Sequence, residues 1–229
     1  MSDVRVVREV SSVTRNTSDG ALRALRGTRD GAAFSADWYL AHALEGRAYA
    51  INTATASTPD TLTANAGLLV AQQDAYITIP SGTTVIPVLI EISLEDLGSA
   101  GACDICACAS TTVDTAVSAT SVTIMNMRTD APQSSLCTAY SVVSGNGTSP
   151  YSGTYYDFWR GYSGDAPDQF NSSAAQTNNL LSRTTWEASK TMCPPIITGA
   201  ASLSVYATFT AGKGWITIVW VEIPSSSID

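Results

Sequence analysis

The stretch GACDICACAS, residues 101–110, places Cys103, Cys106 and Cys108 within six positions. Thiolates ligate zinc and carry out disulfide exchange, so this spacing raises metal binding and redox chemistry. A closed zinc site needs four ligands, normally two separated pairs. The remaining candidates are Cys137, Cys193 and a single histidine, His42. On a strand Cys106 and Cys108 share a face with Asp104, while Cys103 and Ile105 point the other way, so three sulfurs do not converge on one ion. A redox C-x-x-C stands at a helix start, and the Ala, Ser and Thr around this one give no helix signal. The spacing therefore predicts a strand of small apolar side chains that lets two sheets approach closely. One disulfide or a metal site is the alternative. Five cysteines, an odd number, argue against a closed disulfide framework.

Other catalytic constellations are sparse. A Ser-His-Asp or Cys-His mechanism would have to use His42, in DWYLAHALEG, where an apolar face is an equal reading. No G-x-S-x-G, P-loop or dinucleotide fingerprint stands at a strand-to-helix junction. Asp157, Asp165 and Asp168 are acids flanked by aromatics, the set a carboxylate-dependent glycosidase would use. Asp165, Asp168 and Asn171 could also ligate calcium, at a spacing unlike that of an EF-hand. Solvated loop acids account for the same residues. No catalytic residue, metal ligand or cofactor is assigned, and no enzyme is expected.

Aromatic residues give a clearer signal. The stretch SPYSGTYYDFWRGYSGDAPDQF, residues 149–170, holds seven of the chain's eighteen aromatics. Glycines and prolines at both ends read as a loop or short hairpin. Tyr and Trp offer large area with a polar tip, which suits subunit contact or sugar binding. Capping of the core from one end is the bland reading.

The elements that position these groups are strands. Charged residues make up only 14% of the 229-residue chain, and Ser, Thr, Ala and Gly favour sheet and turns. TVIPVLIEISLE puts Ile86, Val88, Ile90, Ile92 and Leu94 on one face and Val85, Pro87, Leu89, Glu91, Ser93 and Glu95 on the other. Pro87 cannot donate to a ladder, so this strand lies at an edge or carries a bulge. Pro80-Ser81-Gly82 makes the turn before it. Further strands are expected near 47–54, 66–72, 103–110, 119–127, 137–143, 153–160, 201–211 and 214–223, with a hairpin turn at 211–214. The last strand, WITIVWVEIP, is apolar on both faces, as in a central strand or one covered by a subunit. The polar segment 172–190 reads as an insertion with a short helix near 176–190. The fold class is all-β: an antiparallel β-sandwich, jelly-roll-like, with an extended N-terminal arm.

Charge divides the chain in two. Arg5, Arg8, Arg15, Arg23, Arg26 and Arg29, offset by four acids, leave the first thirty residues at about +2 and the rest at about −10, for a net −8. Residues 1–44 form the arm and 45–229 the body. An acidic chain is a poor general binder of nucleic acid. No signal peptide and no membrane span are read in the sequence, so a soluble, cytoplasmically made protein is expected.

The Arg-rich arm leads into GAAFSADWYLAHALEGRAYAINTATASTPDTLTANAG, then YITIPSGTTVIPVLIEISLE, and the chain closes with ATFTAGKGWITIVWVEIP. This succession resembles small structural proteins of the particles of tailed bacteriophages and related viruses, in which a GR-x-Y strand precedes a Thr/Ala-rich stretch, a Gly-containing turn and a V-x-P-L strand. The likeness covers the start of the body and the last strand pair; residues 100–195 have no counterpart. It implies a minor capsid or decoration (cement) protein with a jelly-roll body, present in repeated copies in the virion and assembled in the host cytoplasm. The implied partners are a major capsid protein or other virion proteins. The chain itself is expected to form a homotrimer. Arg5, Arg8, Arg15, Arg23, Arg26, Tyr155, Tyr156, Trp159 and Trp220 are the assembly contacts this reading selects. The alternative is a tail-associated receptor- or carbohydrate-binding module that uses the 150–170 aromatics.

Overall fold

A computed structural model describes residues 37–62, 71–96, 102–113, 118–131, 133–145, 149–164, 182–191, 193–208 and 212–228. The chain forms two units that break between Ala41 and His42. In the first, the Ala41 N–H donates to the Asp37 carbonyl at 3.0 Å, the opening bond of helix α1 (Trp38–Leu44). The second unit holds the sheets.

Its strands are β1 (Ala48–Asn52), β2 (Asp60–Thr61), β3 (Ala75–Ile79), β4 (Thr83–Asp96), β5 (Ala102–Ser110), β6 (Ser118–Val122) and β7 (Met125–Asn126). They continue with β8 (Thr138–Gly145), β9 (Tyr155–Gly164), β10 (Ser182–Glu187), β11 (Ile197–Thr198), β12 (Ala201–Thr208) and β13 (Lys213–Pro224). All pairings are antiparallel among the described residues. One sheet runs β10-β4-β13-β1-β7, with β11 beside β4 and β2 beside β13; the other runs β6-β8-β3-β12-β5-β9. The all-β sandwich expected from the alternation is the observed architecture. Four of the pairs are nested along the chain: β1 with β13, β3 with β12, β4 with β10, β5 with β9; β13 with β4 and β12 with β5 join them side by side within each sheet.

Alternation decides which side chains meet between the sheets. Tyr49 and Ile51, Ile77 and Ile79, Leu203 and Val205, Ile216 and Ile218 all enter one core. Strand β13 is central in its sheet, flanked by β4 and β1, and Ile216, Ile218 and Trp220 on its inner face enter the core. Gly82 closes the turn between β3 and β4 at φ +82°, where a side chain is strained, and Thr83 N–H returns to the Pro80 carbonyl at 3.2 Å.

Three expectations are corrected. The first is the facing of β4. Pro87, expected at an edge or a bulge, sits at a bulge in a central strand: Val219 faces Leu89 but Trp220 faces Pro87, so Val88 is the extra residue. That residue shifts the phase by one. Val85 therefore joins Ile90, Ile92 and Leu94 in the core, while Ile86 and Val88 remain partly exposed. The expected strand 119–127 is two pieces, and β6 and β7 belong to opposite sheets. Residues 182–187, within the expected helical insertion, form β10, followed by a 3-10 turn at Ala188–Lys190. The strand expected near 153–160 is β9, Tyr155–Gly164, paired along its length with β5, in place of the loop or short hairpin also read there. Most of the 66–72 strand, residues 165–181 and part of the 211–214 turn lie outside the described residues.

Candidate functional site

The cysteine strand is β5, and its two faces have different partners. Cys103, Ile105 and Ala107 point between the sheets into the main core. Cys106 and Cys108 point outward, where they form a second small cluster with Tyr206 and the ring of Tyr151. Only Cys103 therefore thins the space between the sheets. The outward pair instead accepts a layer of peptide. Ser110 Oγ donates to the Pro150 carbonyl, Ser202 Oγ donates to the Thr112 carbonyl at 2.7 Å, and Thr111 N–H donates to the Thr154 carbonyl at 2.9 Å. Small side chains allow this close approach of backbone.

The cover is fastened by charge. Tyr151 sits in a 3-10 turn, Pro150–Ser152, capped by Ser149 Oγ, which accepts from Tyr151 N–H. Its hydroxyl donates to Asp157 Oδ1 at 2.9 Å and lies 3.8 Å from Cys106 Sγ. Arg160 donates to Asp157 Oδ2 at 2.6 Å. Burial pushes Asp157 up, but the hydrogen bonds from Arg160 and Tyr151 and the Arg160 charge outweigh it, and the carboxyl lies below its ordinary range. Burial, then the Asp157 charge, pushes the Cys108 thiol up to about 12; burial raises Cys106 as well. Burial and the bond to Asp157 raise Tyr151. The two thiols are therefore protonated near neutrality, poor as nucleophiles and as metal ligands. All five cysteines are free thiols, and no group of three or more metal-ligating side chains gathers among the described residues.

A second polar centre went unnoticed in the sequence. Glu222, near the end of β13, is buried. It accepts from Trp220 Nε1 at 2.8 Å, from Leu136 N–H at 3.1 Å and from Ser135 Oγ. Ser135 Oγ in turn accepts from Cys137 N–H at 3.1 Å. A cleft of about 300 Å³ opens beside it, lined by Arg47, Tyr49, Gln133, Leu136 and Glu222 among others. Burial and the Glu222 charge raise Tyr49 and Cys137. The available signal was an acid in an otherwise apolar strand two residues after a tryptophan, a spacing that places both on one face.

The expected contact residues separate into inner and outer groups. Trp220 is fully buried, 6.3 Å from the Tyr49 ring, and belongs to the chain's own core rather than to an assembly surface. Trp159 also turns inward. A bulge in β9, with Ala107 facing Trp159 and Cys108 facing Asp157, makes Phe158 the extra residue, so two consecutive aromatics pack against the core. Phe158 meets Trp186 edge to face at 5.1 Å. Tyr155 and Tyr156 are exposed, at 49% and 62%, as is Tyr162 at 65%. Arg5, Arg8, Arg15, Arg23 and Arg26 lie outside the described residues, as do Asp165, Asp168 and Asn171. His42 stands 3.7 Å from Glu45 in α1 and the turn after it.

No family model, no curated protein and no solved structure matches the chain.

The outer face of the seven-stranded sheet presents an apolar row. Register places Met125 beside Ala50, Ala50 beside Val219, and Val219 beside Leu89. Their strand neighbours Tyr49, Ile218 and Ile90 face the core, so this row faces outward. None of the four is buried, and Met125 is 63% exposed. The next row is polar: Asn52, Thr217, Glu91 and Thr185.

Proposed function

We propose that the chain is a non-enzymatic structural protein of a viral particle, a capsid decoration (cement) or minor capsid protein. It stabilises a shell through contacts with the major capsid protein and acts as a homotrimer. One observation carries this reading. The three segments that resemble phage particle proteins, around Gly46–Asn52, Thr83–Leu94 and Gly214–Pro224, are adjacent strands β1, β13 and β4 of one sheet. The apolar row Ala50–Val219–Leu89 lies on that shared slab. An outward apolar row beside the polar row Asn52–Thr217–Glu91–Thr185 is a surface for another protein. The nested strand pairs support a jelly-roll winding of the body.

Mass spectrometry of purified particles is the test. The chain is expected at a fixed stoichiometry to the main shell protein. Particles that lack it, while the chain accumulates elsewhere in the infected cell, would falsify the reading.

A further inference from the structure

The geometry points to a carbohydrate-binding strip on β9, formed by Tyr155, Asp157, Arg160 and Tyr162. These four residues share the outward face of the six-stranded sheet. Their partners on β5 are Ser110, Cys108, Cys106 and Asp104, which alternate with the core residues Ile105 and Ala107. The strip lies on the opposite sheet from the apolar row, so it is independent of the assembly reading.

Two exposed rings, Tyr155 and Tyr162, stand at its ends, about 20 Å apart along the strand. Tyr155 is held in place, its ring 4.6 Å from that of Tyr151. Between the rings lies a fixed donor–acceptor pair. Asp157 is oriented by Tyr151 on one oxygen and by Arg160 on the other. A carboxylate has about four lone-pair sites, so acceptor capacity remains. The Arg160 side chain is 63% exposed and has N–H groups beyond the one that meets Asp157.

Tyrosine faces pack against the C–H faces of a pyranose, and a neighbouring carboxylate and guanidinium bond adjacent hydroxyls as acceptor and donor. Preorganisation by Tyr151 lowers the ordering cost of binding. A nucleic acid is disfavoured because the chain is net −8 and one salt-bridged arginine offers little to phosphates. A charged donor–acceptor pair separates the two rings, which suits the hydroxyls between successive sugar rings; a protein contact is an outcome of the test. The ligand class is therefore an oligosaccharide.

The full chain is applied to an array of bacterial-envelope and animal oligosaccharides, and each hit is titrated in solution with the free oligosaccharide. At least one binder is expected. Tyr155→Ala and Tyr162→Ala should each weaken it about tenfold or more, with Met125→Ser, on the other sheet, unchanged. Tyr162 is mostly exposed, so its truncation leaves the fold intact, which a thermal melt verifies. A blank array overturns the proposal, as does binding that survives both tyrosine changes. It also fails if those changes spare glycan binding and abolish self-association or shell attachment, which makes the strip a protein contact.

Discussion

Tyr151 Oη donates to Asp157 Oδ1 at 2.9 Å, and this bond fastens the 3-10 turn Pro150–Ser152 over the thiols of Cys106 and Cys108. The relationship joins a turn to an edge strand and makes a second, outward core on a sheet whose first core lies on its other face.

Thiol accessibility reports on that cover. In the native chain a small alkylating reagent is expected to label exposed Cys193 first and the four buried cysteines slowly. Tyr151→Ala removes the ring and the bond together, so Cys106 and Cys108 should label much faster, with Cys103 and Cys137 still protected. Peptide mass spectrometry after timed quenching resolves the five sites. Equal protection of Cys106 in the variant and the wild type contradicts the covering role of Tyr151.

The same cluster sets two pH limbs. The Asp157 pKa is depressed in the folded state, chiefly by bonds that outweigh its burial. Its stabilisation is therefore complete above the ordinary carboxylate value of about 3.9 and lost as pH falls below it. The Cys108 thiol is raised to about 12. Its contribution is complete below the ordinary thiol value of about 8.5 and lost as pH rises from there toward the folded value. Urea melts across pH should show a shallower acid limb for Asp157→Asn and a shallower alkaline limb for Cys108→Ala. Unchanged slopes would remove these groups from the linkage.

Glu222 tests the other polar centre. Replacing it by Ala leaves three donors, on Trp220, Leu136 and Ser135, without their acceptor. The expected loss is about 3 kcal/mol or more in equilibrium unfolding. Glu222→Gln keeps an acceptor oxygen and should lose less. Because Glu222 anchors Ser135 and Leu136, the 133–137 segment should loosen first, seen as faster amide exchange there, although the 3.4 Å bond from Tyr49 Oη to the Ser134 carbonyl is kept. Equal stability of Glu222→Ala and wild type would make the carboxylate incidental.

Which of these features could be read from sequence depends on phase. Strand β12 alternates cleanly, and Leu203 and Val205 are in the core. Strand β4 has the same kind of pattern, but one extra residue at Val88 makes a period-two reading correct after the bulge and wrong before it, which exchanges Val85 for Ile86. The bulge at Phe158 hides the inward turn of Trp159 in the same way. Trp220 was readable as apolar, but sequence gives no means of telling a core tryptophan from an interface one. The cysteines were readable as packing residues. The layer they pack against was not, because Ser110 meets Pro150, and Ser202 meets Thr112, only through contacts distant in sequence.

The assembly reading predicts the effect of a charge on the apolar row. Val219 lies between Ala50 and Leu89 on the outer face, and its side chain does not enter the intramolecular core. Val219→Asp should therefore leave the isolated chain folded, at a cost of about 1 kcal/mol from the poorer strand propensity of Asp. In an assembled protein the same carboxylate would be desolvated without a partner, a cost of several kcal/mol per contact. Light scattering should find the wild type at three times the chain mass and the variant at one. Co-sedimentation with purified shells should be lost in parallel. A variant that still trimerises and still binds shells would place the contact elsewhere and leave the row Met125–Ala50–Val219–Leu89 without a role in assembly.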